Sequence, residues 1–348
     1  MSRQFAALRG LAIVIVVLYH SIDQGLLGAG GLGYPPPGEP VRTVLLALHE
    51  LGIFAVPMFL FISGSFAAYA ARGDPPRLSW RTVWAGLKRM LWPYLIWSVA
   101  FFVLVYFRRD EMYTLWGYLK NLLVGYPFHF IPLLVFWYAA SPLLVPVAER
   151  AGWLLIGVIV VYQFALMTVI FPGVVGLEAP GWMRFLVPPG LGRTLATWGI
   201  YFPLGLTYSL HAARVRPVLE RVKWIVLLAT GGLFILSLLN TAGILHFPLA
   251  AHLCPLVLLG LLPVIQRNAI PGVRQLETVG KRSYGLYLTH LIVLELVFFG
   301  VQIICPWLLS HQILLQPLLF AAALSIPLVG MNLIARLWGG RVYRYVFG

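Results

Sequence analysis

Apolar stretches of about twenty residues recur along the whole chain, each long enough to cross a hydrocarbon core about 30 Å thick. The pattern predicts helices over 5–22, 45–71, 82–107, 127–148, 152–171, 193–211, 223–240, 246–266, 282–303 and 312–338. The fold class is therefore all-α, a polytopic integral membrane bundle of about ten transmembrane helices. Residues 113–124 (YTLWGYLKNLLV) are apolar but short, and read as a helix lying in the outer interface. The longest outer loops are 23–43, with Gly28, Gly30, Gly31, Gly33 and a run of three prolines, and 171–192. Their glycine and proline content suits irregular segments that cover a cavity. No internal repeat divides the chain, so residues 1–348 read as a single membrane domain without an appended soluble one.

Composition agrees. Of 348 residues, 60% are hydrophobic and only 10% charged, and mean hydropathy is +0.88, which excludes a soluble globule. The formal charge of +14 would suit nucleic acid, but its distribution points to topology instead. With the N-terminus cytoplasmic, nineteen of the 25 Lys and Arg residues fall on inner segments and six on outer ones. Both termini are then expected in the cytoplasm, and the protein in the plasma (inner) membrane. Arg9 interrupts the first apolar run and no small-x-small site follows it, so that segment reads as a retained helix, not a cleaved signal. Cys254 and Cys305 lack metal or redox spacing, and no metal site is expected.

The chemistry-bearing residues are those that lipid penalises. Arg9 and His20 stand eleven residues apart in one span, which returns them to within roughly 20° of one helix face, about 16 Å apart along it. A cation at one end and an imidazole deeper in suggest a lined passage, against the plainer reading of a snorkelling arginine and a helix-end histidine. Placed near the outer end of the first span, His20 has two candidate carboxylate partners, Glu50 and Asp23. In the second span, PMFLFISG carries Pro57, expected to kink the helix, and Ser63, Gly64 and Ser65, suited to close backbone approach or a local opening. Lys88 and Arg89 begin the third span as membrane anchors or as a phosphate clamp. In SYGLYLTH, Tyr284, Tyr287 and His290 step by three along one face, with His290 near midplane; Glu295 lies about 140° away from it. His129 sits at the outer start of the fourth span, where interfacial hydrogen bonding is the default.

Arg9-x10-His20, PMFLFISG, the Lys88-Arg89 and Trp-Pro-Tyr run, His129 with its aromatic neighbours, and SYGLYLTH together resemble the acyltransferase-3 family of membrane acyltransferases. The resemblance runs in order from about residue 5 to residue 300. It implies transfer of an acyl group, usually acetyl, from cytosolic acyl-coenzyme A (acetyl-CoA or another acyl-CoA) to a carbohydrate hydroxyl on the outer side of the membrane or on a lipid carrier. On that reading Arg9, Lys88 and Arg89 hold phosphates, with Ser63, Tyr284, Tyr287 and His290 beside the donor. His20 acts as base or acyl acceptor, oriented by Glu50 or Asp23. Two features depart from the family pattern: Phe130 follows His129 where tryptophan is frequent, and the sequence reads as a membrane domain without the extracytoplasmic esterase-like domain that many members carry. Either the chain passes the acyl group directly to its acceptor or a separate extracytoplasmic partner completes the transfer; homo-oligomerisation is left open. The rival class is a multi-pass transporter or flippase for a glycan precursor, since buried His and Glu also suit proton coupling.

Overall fold

A computed structural model describes residues 3–348. The helices are α1 (Arg3–Gly31), α2 (Glu39–Glu50), α3 (Ala55–Ala70), α4 (Trp80–Arg109), α5 (Leu115–Val124), α6 (Phe130–Ile170), α7 (Gly192–Trp198), α8 (Tyr201–Leu210), α9 (Ala212–Thr241), α10 (Ala250–Leu259), α11 (Val273–Gly280), α12 (Ser283–Ile304), α13 (Gln312–Leu337) and α14 (Gly339–Phe347). Among the described residues, seven helical stretches are long and apolar enough to cross a membrane: α1, α2 with α3, α4, α6, α9, α12 and α13. Bulky apolar side chains on the outside of the bundle, such as Trp153 and Leu154 on α6 and Trp224 and Leu228 on α9, fit a lipid-facing surface. The other expected spans take less regular forms. Residues 127–148 and 152–171 fall mostly within α6, which breaks at Ala151 (φ −136°, ψ 42°). The 193–211 segment is the broken pair α7 and α8, and 246–266 holds only the ten-residue α10.

Three local differences from the sequence pattern bear on function. First, α1 does not end at residue 22 but continues to Gly31, so His20 lies close to the middle of its helix and not near an end. With the start of α2 at Glu39, most of the expected 23–43 loop is helix. Second, the kink at Pro57 appears as a tight 3-10 turn over Leu51–Phe54, directly before α3. Proline has no N–H to donate to residue 53 and its ring crowds that carbonyl, so the regular ladder cannot run through.

Third, the expected interfacial helix docks at its C-terminal end on the middle of α4. Thr114 caps α5 by accepting from Gly117 N (3.1 Å), and Gly125, at φ +84°, ends it in a conformation other residues adopt only with strain. The Tyr94 hydroxyl, near the middle of α4, donates to Leu122 O at 2.6 Å, and Tyr118 packs on Phe102. The chain thus turns at Gly125–His129 beside the interior of the bundle. Gly125 and Phe128 are buried in protein there.

Two crossings bring backbones into contact. A Cβ on Gly64 would strike Phe202 O, and one on Gly205 would strike Phe61 O, so α3 and α8 touch directly. Ser65 reinforces the crossing by donating to Gly205 O (3.3 Å). In the same manner Gly10 meets Leu276 O and Gly280 meets Ala6 O, locking α1 to α11. The small-residue run of the second span serves packing. Cys254 is buried and Cys305 partly so, and both are free.

Candidate active site

On α12, the spacing of SYGLYLTH does what helical geometry requires, aligning Tyr284, Tyr287 and His290. The Tyr284 hydroxyl donates to Met90 O (2.6 Å), and Tyr287 meets Phe130 edge-on at 4.4 Å. His290 is fully buried, and its Nδ1 lies 3.1 Å from Leu286 O and 2.8 Å from Tyr287 O. Carbonyls only accept, so these contacts assign the proton to Nδ1 and leave Nε2 as the free acceptor in the neutral ring. That Nε2 is buried without a hydrogen-bond partner. The ring of His20 lies opposite, 5.3 Å away between centroids.

His20 also lines a cavity of about 370 Å³ walled by α1, the start of α3, the α5–α6 turn, the α7–α8 break, α10 and α12. Aromatic side chains dominate its chemistry: Tyr19, Phe130, Trp198, Tyr201 and Tyr287, together with His129 and His252. His129, exposed at the start of α6, lines this cavity, and its Nδ1 lies 3.5 Å from Val124 O.

Neither proposed carboxylate orients His20. Asp23 accepts from His49 Nε2 at 2.9 Å, and His49 in turn stacks on Tyr19 (4.1 Å). Glu50 is buried and turned to α9, where its carboxylate accepts from Ser237 Oγ and from Thr241 Oγ1 (2.9 Å). Asp23, three residues after His20 on α1, is turned by about 60° from it and taken up by His49, while the direction of Glu50 on α2 depends on the rotation of one helix relative to another, which sequence spacing does not give. Ser63 is likewise displaced from its expected role: its hydroxyl donates to Phe59 O (2.7 Å), and the α3 wall of the cavity is Ala55, Val56 and Pro57.

Among the described residues Arg9 has no hydrogen-bond or ion-pair partner, and it is only partly buried. Lys88 and Arg89 are exposed on α4 and open a separate pocket. Glu295 does face another helix: it holds Arg109 (2.6 Å) and Gln24 (3.5 Å), joining α12 to α4 and α1.

Sequence reasoning missed Tyr19, Trp198, Tyr201 and His252. The rule that singled out His20 and His290, an imidazole inside an apolar run, applies equally to His252 in AAHLCP. Trp198 and Tyr201 flank the glycine at which the sixth span breaks, and that interruption was the available signal.

No curated protein and no solved structure matches the chain. A family profile described as an acyltransferase domain matches residues 3–335, nearly the whole length and including every residue that lines the cavity. With its long apolar helices and that match, the chain belongs to the acyltransferase-3 family of membrane acyltransferases.

Proposed function

We propose that the protein moves an acyl group, acetyl in the first instance, from cytosolic acyl-coenzyme A to a hydroxyl of an extracytoplasmic or lipid-linked carbohydrate in the plasma membrane. The observation that carries this reading is the pairing of His20, on the wall of an aromatic cavity, with the fully buried His290 behind it. A small turn of either ring brings a His20 N–H onto the free Nε2 of His290. The other nitrogen of His20 is then held towards the cavity as a base. It takes the proton of the acceptor hydroxyl as the oxygen attacks the thioester carbonyl; the C–O bond forms, the C–S bond breaks, and the proton passes on to the departing thiolate. In this scheme His290, and not Glu50 or Asp23, positions the base.

The flat C–H faces of a sugar suit the rings of Trp198, Tyr201 and Phe130, and the polar edges of His129 and His252 suit its hydroxyls. Lys88 and Arg89 hold donor phosphates at the cytoplasmic end, with ten spans and both termini in the cytoplasm. The test is incubation of purified protein with radiolabelled acetyl-coenzyme A and a panel of glycans. Label is expected in one of them. If a non-carbohydrate hydroxyl accepts the label and no saccharide does, the acceptor assignment falls.

A further inference from the structure

The last nine helical residues fold back onto the bundle as α14. Phe347 is buried and stacks on Trp97 (5.7 Å), and Trp97 Nε1 donates to Val346 O (2.8 Å). Gly285 on α12 leaves the space that Phe347 and Met331 fill, since a Cβ there would press on both. Tyr343, Val346 and Phe347 therefore form one face of the helix. At about 100° per residue, Arg341, Arg344 and Tyr345 form the opposite one.

This second face borders a pocket of about 390 Å³ shared with α4, lined by Lys88, Arg89, Trp92, Arg341, Arg344 and Tyr345. No acidic side chain lines it, and among the described residues none of the four cations is in an ion pair. Lys88 rests over Trp84 (5.4 Å), and the only hydrogen bond recorded for the guanidinium groups runs from Arg344 Nε to Gly340 O (3.2 Å). Four like charges held together by a docked helix repel one another, and a multiply charged anion removes that cost.

Position supplies the second observation. A Cβ added at Gly348 would press on the ring of Tyr284 and lie 3.4 Å from Arg89 O, so the C-terminal residue sits beside both. Three residues further along α12, Tyr287 borders the His20 cavity, and three more bring His290. The two sites thus lie at the ends of one helix face, separated by a rise of about 9 Å.

We infer that α14 completes a phosphate site: Arg341 and Arg344 join Lys88 and Arg89 to clamp a ligand bearing several phosphate charges, with Trp92 and Tyr345 positioned to stack a base. This rests on the proposed use of acyl-coenzyme A, and it adds two cations from a helix beyond residue 335, where the family match ends. The chemistry is shared by a free nucleotide phosphate and an anionic lipid headgroup; the separation of the two sites favours the nucleotide end of the donor.

The test measures coenzyme A binding to detergent-purified wild type and to the double variant Arg341→Ala/Arg344→Ala, with dephospho-coenzyme A and phosphatidylglycerol nanodiscs as parallel arms. Both arginines are exposed, so folding is expected to survive, and Arg341→Lys/Arg344→Lys provides a charge-retaining control. The expected result is a Kd for coenzyme A raised at least about tenfold in the alanine variant and largely restored by lysine, with a smaller loss for dephospho-coenzyme A. Equal binding by wild type and alanine variant overturns the role of α14 and leaves the donor reading intact. Failure of wild type itself to bind coenzyme A, in a preparation that acylates from another donor, overturns the donor reading. An effect seen only in phosphatidylglycerol nanodiscs reassigns the clamp to lipid and overturns the nucleotide assignment.

Discussion

The cavity at His20 and the basic pocket at α14 are opposites in construction. In the first, the reactive groups sit inside long helices, His290 is sealed from solvent, and a ring nitrogen is left unpartnered. In the second, four exposed cations meet across two helices that are remote in sequence, and nothing is buried except the anchor Phe347. The first arrangement suits proton transfer, which needs a fixed distance and exclusion of bulk water. The second suits capture of a charged ligand, which needs field and access but little precision. One chain holds both because α12 runs from one to the other.

The contrast also separates what was legible in the sequence from what was not. Groups on a single helix were readable, since 3.6 residues per turn fixes their relative direction: Tyr284, Tyr287 and His290 align as their spacing requires. The helical class and most span positions followed from apolar length for the same reason. Groups facing each other across helices were not readable. Glu50 on α2 was a candidate partner for His20 on α1, yet it serves α9, and Asp23, on the same helix as His20, is taken by His49 of α2, because the rotation of α2 against its neighbours is set by packing and not by spacing. The α5–α6 turn was hidden differently. A ten-residue apolar helix is legible as an element, but its docking on α4 through the Tyr94 bond to Leu122 O, and the burial of Phe128 in the turn that follows, depend on contacts between helices.

The largest expected effect separates the two regions by kcat. His20→Ala should lower acyl transfer by about 10²–10⁴ while coenzyme A affinity and thermal stability stay near wild type, since no other imidazole occupies its place. His290→Gln, in the same assay, should lower kcat by a smaller factor and change the pH profile, because it alters the orientation of the base and not the base itself. Retention of more than about a tenth of the activity by His20→Ala would remove it from the chemistry. The cavity would then differ from the basic pocket in shape only.

A second, intermediate effect tests whether Glu50 belongs to the cavity or to the frame around it. Its carboxylate is buried against Ser237 and Thr241, so Glu50→Ala leaves two hydroxyls without their acceptor and opens a void between α2 and α9. A loss of roughly 2 kcal/mol of stability is expected, with kcat of the folded fraction little changed. Glu50→Gln keeps the volume, an acceptor for one hydroxyl and an NH2 that can donate to the other, and should recover most of the stability. If Glu50→Gln abolishes turnover with thermal stability unaltered, Glu50 acts on the reaction, and the division between reactive cavity and packing frame fails.

The smallest effect on activity, and the sharpest on orientation, comes from single cysteines at opposite ends of the bundle. Gly31, at the end of α1, has open space around any added Cβ, so Gly31→Cys should be silent in the activity assay. Gly73 is unsuitable at the other end, because its φ of +91° strains any side chain; Arg81, exposed in the first turn of α4, replaces it. Cells carrying either variant are treated with a membrane-impermeant maleimide before and after permeabilisation. The nineteen-to-six distribution of basic residues predicts that Gly31→Cys is labelled in intact cells and Arg81→Cys only after permeabilisation. The basic pocket, which opens on the first turns of α4, would then meet cytosolic nucleotide, and the long arm of the donor would reach inward along α12 to His20. Labelling of Arg81→Cys in intact cells would invert that arrangement: the four cations would face away from any cytosolic acyl-coenzyme A, and the two regions could not belong to one reaction path.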